Sequence, residues 1–176
     1  FTYSPKDFNF HYPVILHIGT AWNKNLSNHI QAVKGIPCQL KIVGKLSENH
    51  RLELINADID FENVVHLTDN EILSLYHSCD ILLFASLAEG FGLPILEAQT
   101  VGRAVITSNR GAMAEVAGKG ALLVNPLSVE SIHDGLISII HNDSLRALCI
   151  DEGFKNTHKY GSHFILAQHD ALFSFI

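Results

Sequence analysis

Two glutamates flank a glycine turn in the segment Glu89-Gly-Phe-Gly-Leu-Pro-Ile-Leu-Glu97. Gly90 and Gly92 allow a tight turn and close approach of the backbone to a ligand. Pro94 suits the first turn of a helix, where its missing N–H costs nothing, and Gly102 suits the residue just past the helix end. The amides of Gly90, Phe91, Gly92 and Leu93 then point into the cleft together with the positive end of a helix dipole. That arrangement binds anions and is best matched to phosphate. Carboxylates placed on a phosphate would repel it. Flanking it, Glu89 and Glu97 can each accept hydrogen bonds from sugar hydroxyls. A hexose, a diphosphate and a ribose in a row have that layout. A diphosphate between two carboxylates also needs a cation, and Lys24, in the loop Gly19-Thr-Ala-Trp-Asn-Lys-Asn25, is placed to supply it. The plainer alternative is an ordinary strand–helix unit with two solvated glutamates and a solvated lysine beside a helix start.

The elements that must hold these residues follow from periodicity. Ile81–Phe84 is a short apolar run, as in a strand covered on both faces. Further strands are expected at Val14–Ile18, Gln39–Val43, Val64–Leu67, Ala104–Thr107 and Ala121–Val124. Helices are expected at about 25–34, 48–56, 93–101, 112–117 and 128–141, and as two separate helices at about 143–159 and 163–174. Asp69 is read as the cap of another helix, with Ile72, Leu73 and Tyr76 on one face. In the helix over 128–141, Ile132, Leu136, Ile137 and Ile140 are expected to face inward. This alternation predicts an α/β fold, a Rossmann-like doubly wound parallel sheet of about six strands with helices on both faces. Ligands bind such sheets at the carboxyl ends of the strands. The loop at Gly19–Asn25, the turn at Gly90–Leu93 and the pair Gly44–Lys45 therefore share one rim.

The segments Val14-Ile-Leu-His-Ile-Gly-Thr20, Leu40-Lys-Ile-Val-Gly-Lys45, Ser86-Leu-Ala-Glu-Gly-Phe-Gly-Leu-Pro-Ile-Leu-Glu-Ala98, Arg103-Ala-Val-Ile-Thr-Ser108 and Ala121-Leu-Leu-Val-Asn-Pro126 occur in an order that resembles the retaining glycosyltransferases of family 4, the group 1 transferases. The resemblance covers Ile15 to about Leu148. It implies the carboxyl half of a GT-B fold, a single nucleotide-sugar-binding domain over 1–176, with an N-terminal acceptor domain outside this chain. It implies transfer of a hexose, with mannose as one candidate, from a nucleoside diphosphate sugar to a glycan or lipid-linked acceptor with retention. Glu89 and Lys24 would act in catalysis, and Gly19, Thr20, Gly90–Leu93 and Glu97 would hold the donor. The backbone around Gly44, His66 and Leu67 would hold the nucleobase. No cofactor beyond the donor itself is implied. The family places an Arg directly after the glycine at Gly19; here that residue is Thr20, and Arg110 is a candidate replacement. The other roles weighed are a GT-B epimerase or phosphorylase and a non-catalytic nucleotide-sugar-binding module.

Bulk properties narrow the field further. The 176 residues carry a net charge of −6 and no Lys/Arg run, so no nucleic-acid partner is expected. A hydrophobic share of 47% and a charged share of 17% are those of a globular domain. Cys38, Cys79 and Cys149 have no CxxC spacing and are read as buried thiols, and the eleven His show no metal-ligand spacing. A cytoplasmic location is expected, with peripheral contact at the inner membrane face through the missing half. The chain begins at Phe1 and ends on an apolar run, as a piece of a longer protein would. Aromatic residues crowd its first twelve positions and are expected to pack on this domain's core or on an absent one.

Overall fold

The computed structural model describes residues 1–173, with side chains described through Tyr160. Six parallel strands form one sheet: β1 (Val14–Ile18), β2 (Gln39–Val43), β3 (Asp60–Val64), β4 (Ile81–Phe84), β5 (Ala104–Ser108) and β6 (Leu122–Val124). Their spatial order is β3-β2-β1-β4-β5-β6, so the winding direction reverses between β1 and β4. That reversal opens a crevice above the carboxyl ends of these two strands. The helices are α1 (Leu26–Val33), α2 (Glu48–Asn56), α3 (Asp69–Ser78), α4 (Leu93–Val101), α5 (Gly111–Ala117), α6 (Val129–His141) and α7 (Asp143–Phe173).

Neighbouring side chains of a strand point to opposite faces, and the core is accordingly double. Ile15, Leu40, Leu83 and Ile106 pack with α1, α2 and α6 through Ile30, Leu54, Leu136 and Ile139. Leu16, Leu82, Phe84 and Val105 pack with α3, α4 and α5 through Tyr76, Ile95, Leu96 and Val116. The expected doubly wound α/β sheet is present. The expected β1, β2, β4, α2 and α4 match residue for residue.

Four local expectations are corrected. The third strand runs over Asp60–Val64 rather than Val64–Leu67. It is an edge strand with a half-exposed Asp-Phe-Glu-Asn-Val sequence, so it lacks an apolar run, and its register is set by pairing with Gln39–Val43. Asn63 Nδ2 reinforces that pairing on the Ile42 and Gly44 carbonyls. The cap of α3 is Thr68 rather than Asp69, in a reciprocal capping box with Glu71. On α6 the buried residue is Ile139, while Ile137 faces solvent. The last two expected helices are one, α7, whose backbone continues through Gly161; residues 174–176 lie outside the described residues.

The aromatic N-terminal segment packs on this domain. Phe1 meets Tyr76 edge-on with ring centres 5.5 Å apart, Tyr3 lies 5.0 Å from Phe154, and the Arg146 guanidinium sits 3.9 Å over Phe8. Buried Asp80 anchors the segment by accepting from Lys6 Nζ, from the Asn9 amide at 3.3 Å and from the Val14 amide at 2.8 Å. All three cysteines are buried and free, and burial pushes the Cys79 thiol up to about 12 and Cys38 to about 11. Among the described residues, no helix is long and apolar enough to cross a membrane.

Candidate functional site

β4 delivers the chain to the crevice, and the turn after it starts α4. Gly92 is the N-cap of α4 at φ 108°, a left-handed conformation that favours glycine, and Pro94 follows in the first turn. Gly90 needs no such freedom; a β-carbon there would meet open space. Among the described residues, no group accepts a hydrogen bond from the amides of Gly90, Gly92 or Leu93. Lys24, Glu89, Gly90, Phe91, Gly92, Leu93 and Pro94 line a cavity of about 500 Å³. That lies within the usual range for small-molecule sites, roughly 300–1,000 Å³.

The cation and the first carboxylate face each other. Lys24 Nζ donates to Glu89 Oε1 at 2.7 Å and lies 4.9 Å from the centre of the Phe84 ring. A 3₁₀ turn at Trp22–Lys24 presents the lysine. It is tied to the opposite loop by Asn23, whose Nδ2 donates to the Ala88 carbonyl at 2.8 Å while its own carbonyl accepts from the Leu87 amide at 2.8 Å. Gly19, at φ 91°, is required here, because a β-carbon on it would lie 2.8 Å from Lys24 Cε. Trp22 does not pack into the loop; it is 80% exposed.

Thr20 Oγ1 donates to the Lys45 carbonyl at 2.8 Å and packs over Gly44, so the rims after β1 and β2 are joined. Glu97 lies one turn inside α4 and is 8% exposed. It does not line the cavity with Glu89; its Oε2 accepts from Tyr76 Oη on α3 at 2.6 Å. Burial and the Glu97 charge hold the Tyr76 hydroxyl well above its ordinary value, so it remains a donor. His66 and Leu67 lie in the loop after β3, with His66 exposed and at φ 55°, and neither lines the cavity. Arg110 is exposed at the N-cap of α5 and does not line it either. Arg103 is buried at the opposite end of the sheet, donating to the Tyr76, His77 and Gly102 carbonyls. Asn23, Tyr76 and Phe84 support the site, yet no spacing in the sequence marks them. Among the described residues, no three His, Cys, Asp or Glu side chains converge as a metal-ligand set.

Two histidines lie directly behind the site. His17 of β1 and His29 of α1 are fully buried, and burial lowers His17 to about 4. Unfolded histidine takes up a proton near pH 6.5, so between about pH 6.5 and 4 the unfolded chain binds more protons. Stability should therefore fall as pH is lowered through that window, by about 3 kcal/mol. Urea midpoints at about pH 7 and 4.5 check this, because His17→Gln should flatten the slope; an unchanged slope removes the assignment.

A doubly wound parallel sheet with its cavity at the β1/β4 reversal is the architecture of a Rossmann-like GT-B domain. The chain belongs to the group 1 glycosyl transferases, whose family model matches residues 5–156. It is 37% identical over 103 residues to the serotype-specific mannosyltransferase WbdA of Escherichia coli, a match covering 58% of this chain and 12% of that one. It is 35% identical over 101 residues to the MMP alpha-(1->4)-mannosyltransferase of Mycolicibacterium hassiacum, covering 53% of this chain and 25% of that one. The chain thus aligns with a quarter or less of each of these relatives. Among solved structures, the C-terminal domain of the group 1 glycosyl transferase LpcC of Francisella tularensis superposes with a TM-score of 0.74 at 27% identity, covering 86% of this chain and 87% of that one.

Proposed function

We propose that this chain is the donor-binding domain of a retaining hexosyltransferase, which moves a hexose from a nucleoside diphosphate sugar to a glycan or lipid-linked acceptor. The observation that carries the reading is the cavity in which the Lys24–Glu89 pair meets the amide-rich start of α4. In this reading the diphosphate rests on the amides of Gly90–Leu93 and on Lys24. As the sugar–oxygen bond breaks, the anomeric carbon becomes cation-like and negative charge collects on the departing diphosphate. A fixed ammonium and a helix N-terminus aimed at that charge lower the barrier. Glu89 accepts from hexose hydroxyls and orients the sugar, and Glu97 holds the ribose. Retention follows if the acceptor enters on the leaving-group face and the departing phosphate takes its proton. Mannose is the favoured hexose, because the two relatives described are mannosyltransferases by name. An acceptor-binding partner domain completes the enzyme, and no separate cofactor enters the reading.

Calorimetric titration of this chain with UDP-, GDP- and ADP-sugars tests the proposal: one class should bind, and failure of all three overturns it. In the same assay Glu97→Ala should weaken the binding class by roughly tenfold or more, the scale of a hydrogen bond to a charged group. Unchanged affinity would remove the ribose contact. Tyr76→Phe is the control for loss of the Glu97 partner alone.

A further inference from the structure

Two loops frame the cavity, and a pair of buried histidines joins them. His17 Nε2 lies 2.6 Å from the Gly19 carbonyl oxygen. The Nδ1 atoms of His17 and His29 are 2.9 Å apart, with the rings at 82° to one another. His29 Nε2 lies 3.2 Å from the Ala85 carbonyl oxygen. A continuous chain of polar contacts thus runs from the residue before Thr20 to the residue before Ser86.

A carbonyl only accepts, so each Nε2 facing one must carry a hydrogen. The Nδ1 pair needs one hydrogen, on either ring. The three contacts together need three hydrogens. Two neutral imidazoles carry two, whereas one imidazole and one imidazolium carry three. The shortfall holds for every choice of tautomer. In a neutral pair one contact goes unmet: either an Nε2 lone pair faces a carbonyl lone pair, or the two Nδ1 lone pairs face each other. Ala85 is the carbonyl that can do without, since Asn25 Nδ2 also donates to it at 3.0 Å. Among the described residues, His17 alone donates to the Gly19 carbonyl.

The surroundings decide when the third hydrogen is present. Burial and the nearby Lys24 ammonium disfavour a cation on His17, His50 of α2 adds a smaller effect of the same sign, and burial and His17 disfavour one on His29. Lys24 is partly offset by Glu89. A diphosphate on Lys24 would cancel the repulsion and place negative charge beside Gly19.

We propose that His17 and His29 are a proton-coupled positioning pair, neutral in the empty domain, which takes up one proton when a diphosphate fills the cavity and so fastens the Gly19 and Ala85 loops around it. The proposal rests on the donor-site reading above. Linkage makes it reciprocal, so acidification must strengthen donor binding, by up to tenfold per pH unit between the free and bound values.

The test uses GDP-mannose and UDP-glucose, whose diphosphates are esterified at both ends and stay ionised throughout. Titrations at about pH 6 in Mes and in bis-Tris, which differ in ionisation enthalpy, should report net uptake of roughly half a proton or more. The dissociation constant should fall roughly three- to tenfold between about pH 7 and 6. His29→Gln should bind without uptake and with little pH dependence. Nitrogen-15 ring spectra of the unmodified chain give a second readout that needs no variant: saturation with the probe should convert one ring of the pair to the imidazolium pattern. Binding with equal heats in both buffers and unchanged ring spectra overturns the linkage alone. Absence of binding by either sugar and by ADP-sugars overturns the donor-site reading and the linkage with it.

Discussion

Glu89→Gln is expected to lower turnover roughly a hundredfold, the cost of a small misplacement of a reacting group. The change is nearly isosteric, so the fold should remain and the melting temperature move little. The chemistry changes more. Glu89 Oε1 receives Lys24 Nζ at 2.7 Å in a half-buried setting, and both oxygens are acceptors only. A glutamine keeps one acceptor oxygen and puts an NH2 donor in place of the other. Turned toward Lys24, that donor faces an ammonium; turned toward the sugar, it removes an acceptor for a hydroxyl. The hexose then loses its orientation relative to the breaking bond. The measurement is kcat and KM for the donor in the enzyme that joins this domain to its acceptor-binding partner. Turnover within twofold of the unmodified enzyme would overturn the role.

Lys24→Met should raise the donor KM roughly tenfold and lower kcat roughly a hundredfold. Methionine keeps an unbranched apolar stem against Phe84 and over Gly19, so the loss is that of the charge. The effect on kcat exceeds that on binding because diphosphate charge grows as the bond breaks, and an ammonium responds to that growth where a thioether does not. Combined with Glu89→Gln, the loss should be smaller than the product of the single losses, since each residue holds the other in place. Multiplicative losses would mean that the two act separately.

The part of this site that depends on sequence-local geometry was readable in the chain. Gly92, Pro94 and Gly102 fix where α4 begins and ends, and the apolar run of β4 fixes what precedes it. Lys24 and Glu89 sit at the ends of β1 and β4, which the sheet topology brings together. What could not be read depends on packing between distant elements. Tyr76 and Glu97 are 21 residues apart, and His17 and His29 are 12 apart on different elements, with no repeating spacing. β3 escaped because an edge strand needs apolar side chains on one face only, so Asp60 and Glu62 hid it. The division of α7 failed because one glycine in a long helix costs about 1 kcal/mol, which flanking turns can offset. Ile137 lies off the i, i+4, i+7, i+8 stripe that Ile132, Leu136, Ile139 and Ile140 form on α6, so only Ile139 meets the core.

Arg103 has a consequence for how this domain tolerates change. Its guanidinium binds the last carbonyls of α3 and the carbonyl at the end of α4, joining the negative poles of the two helices that carry Tyr76 and Glu97. On the donor-site reading, a defect at this rivet would splay the pair and surface as weaker donor affinity, although Arg103 lies at the opposite end of the sheet from the cavity. Drifted variants at Arg103 would then masquerade as lesions of the cavity itself.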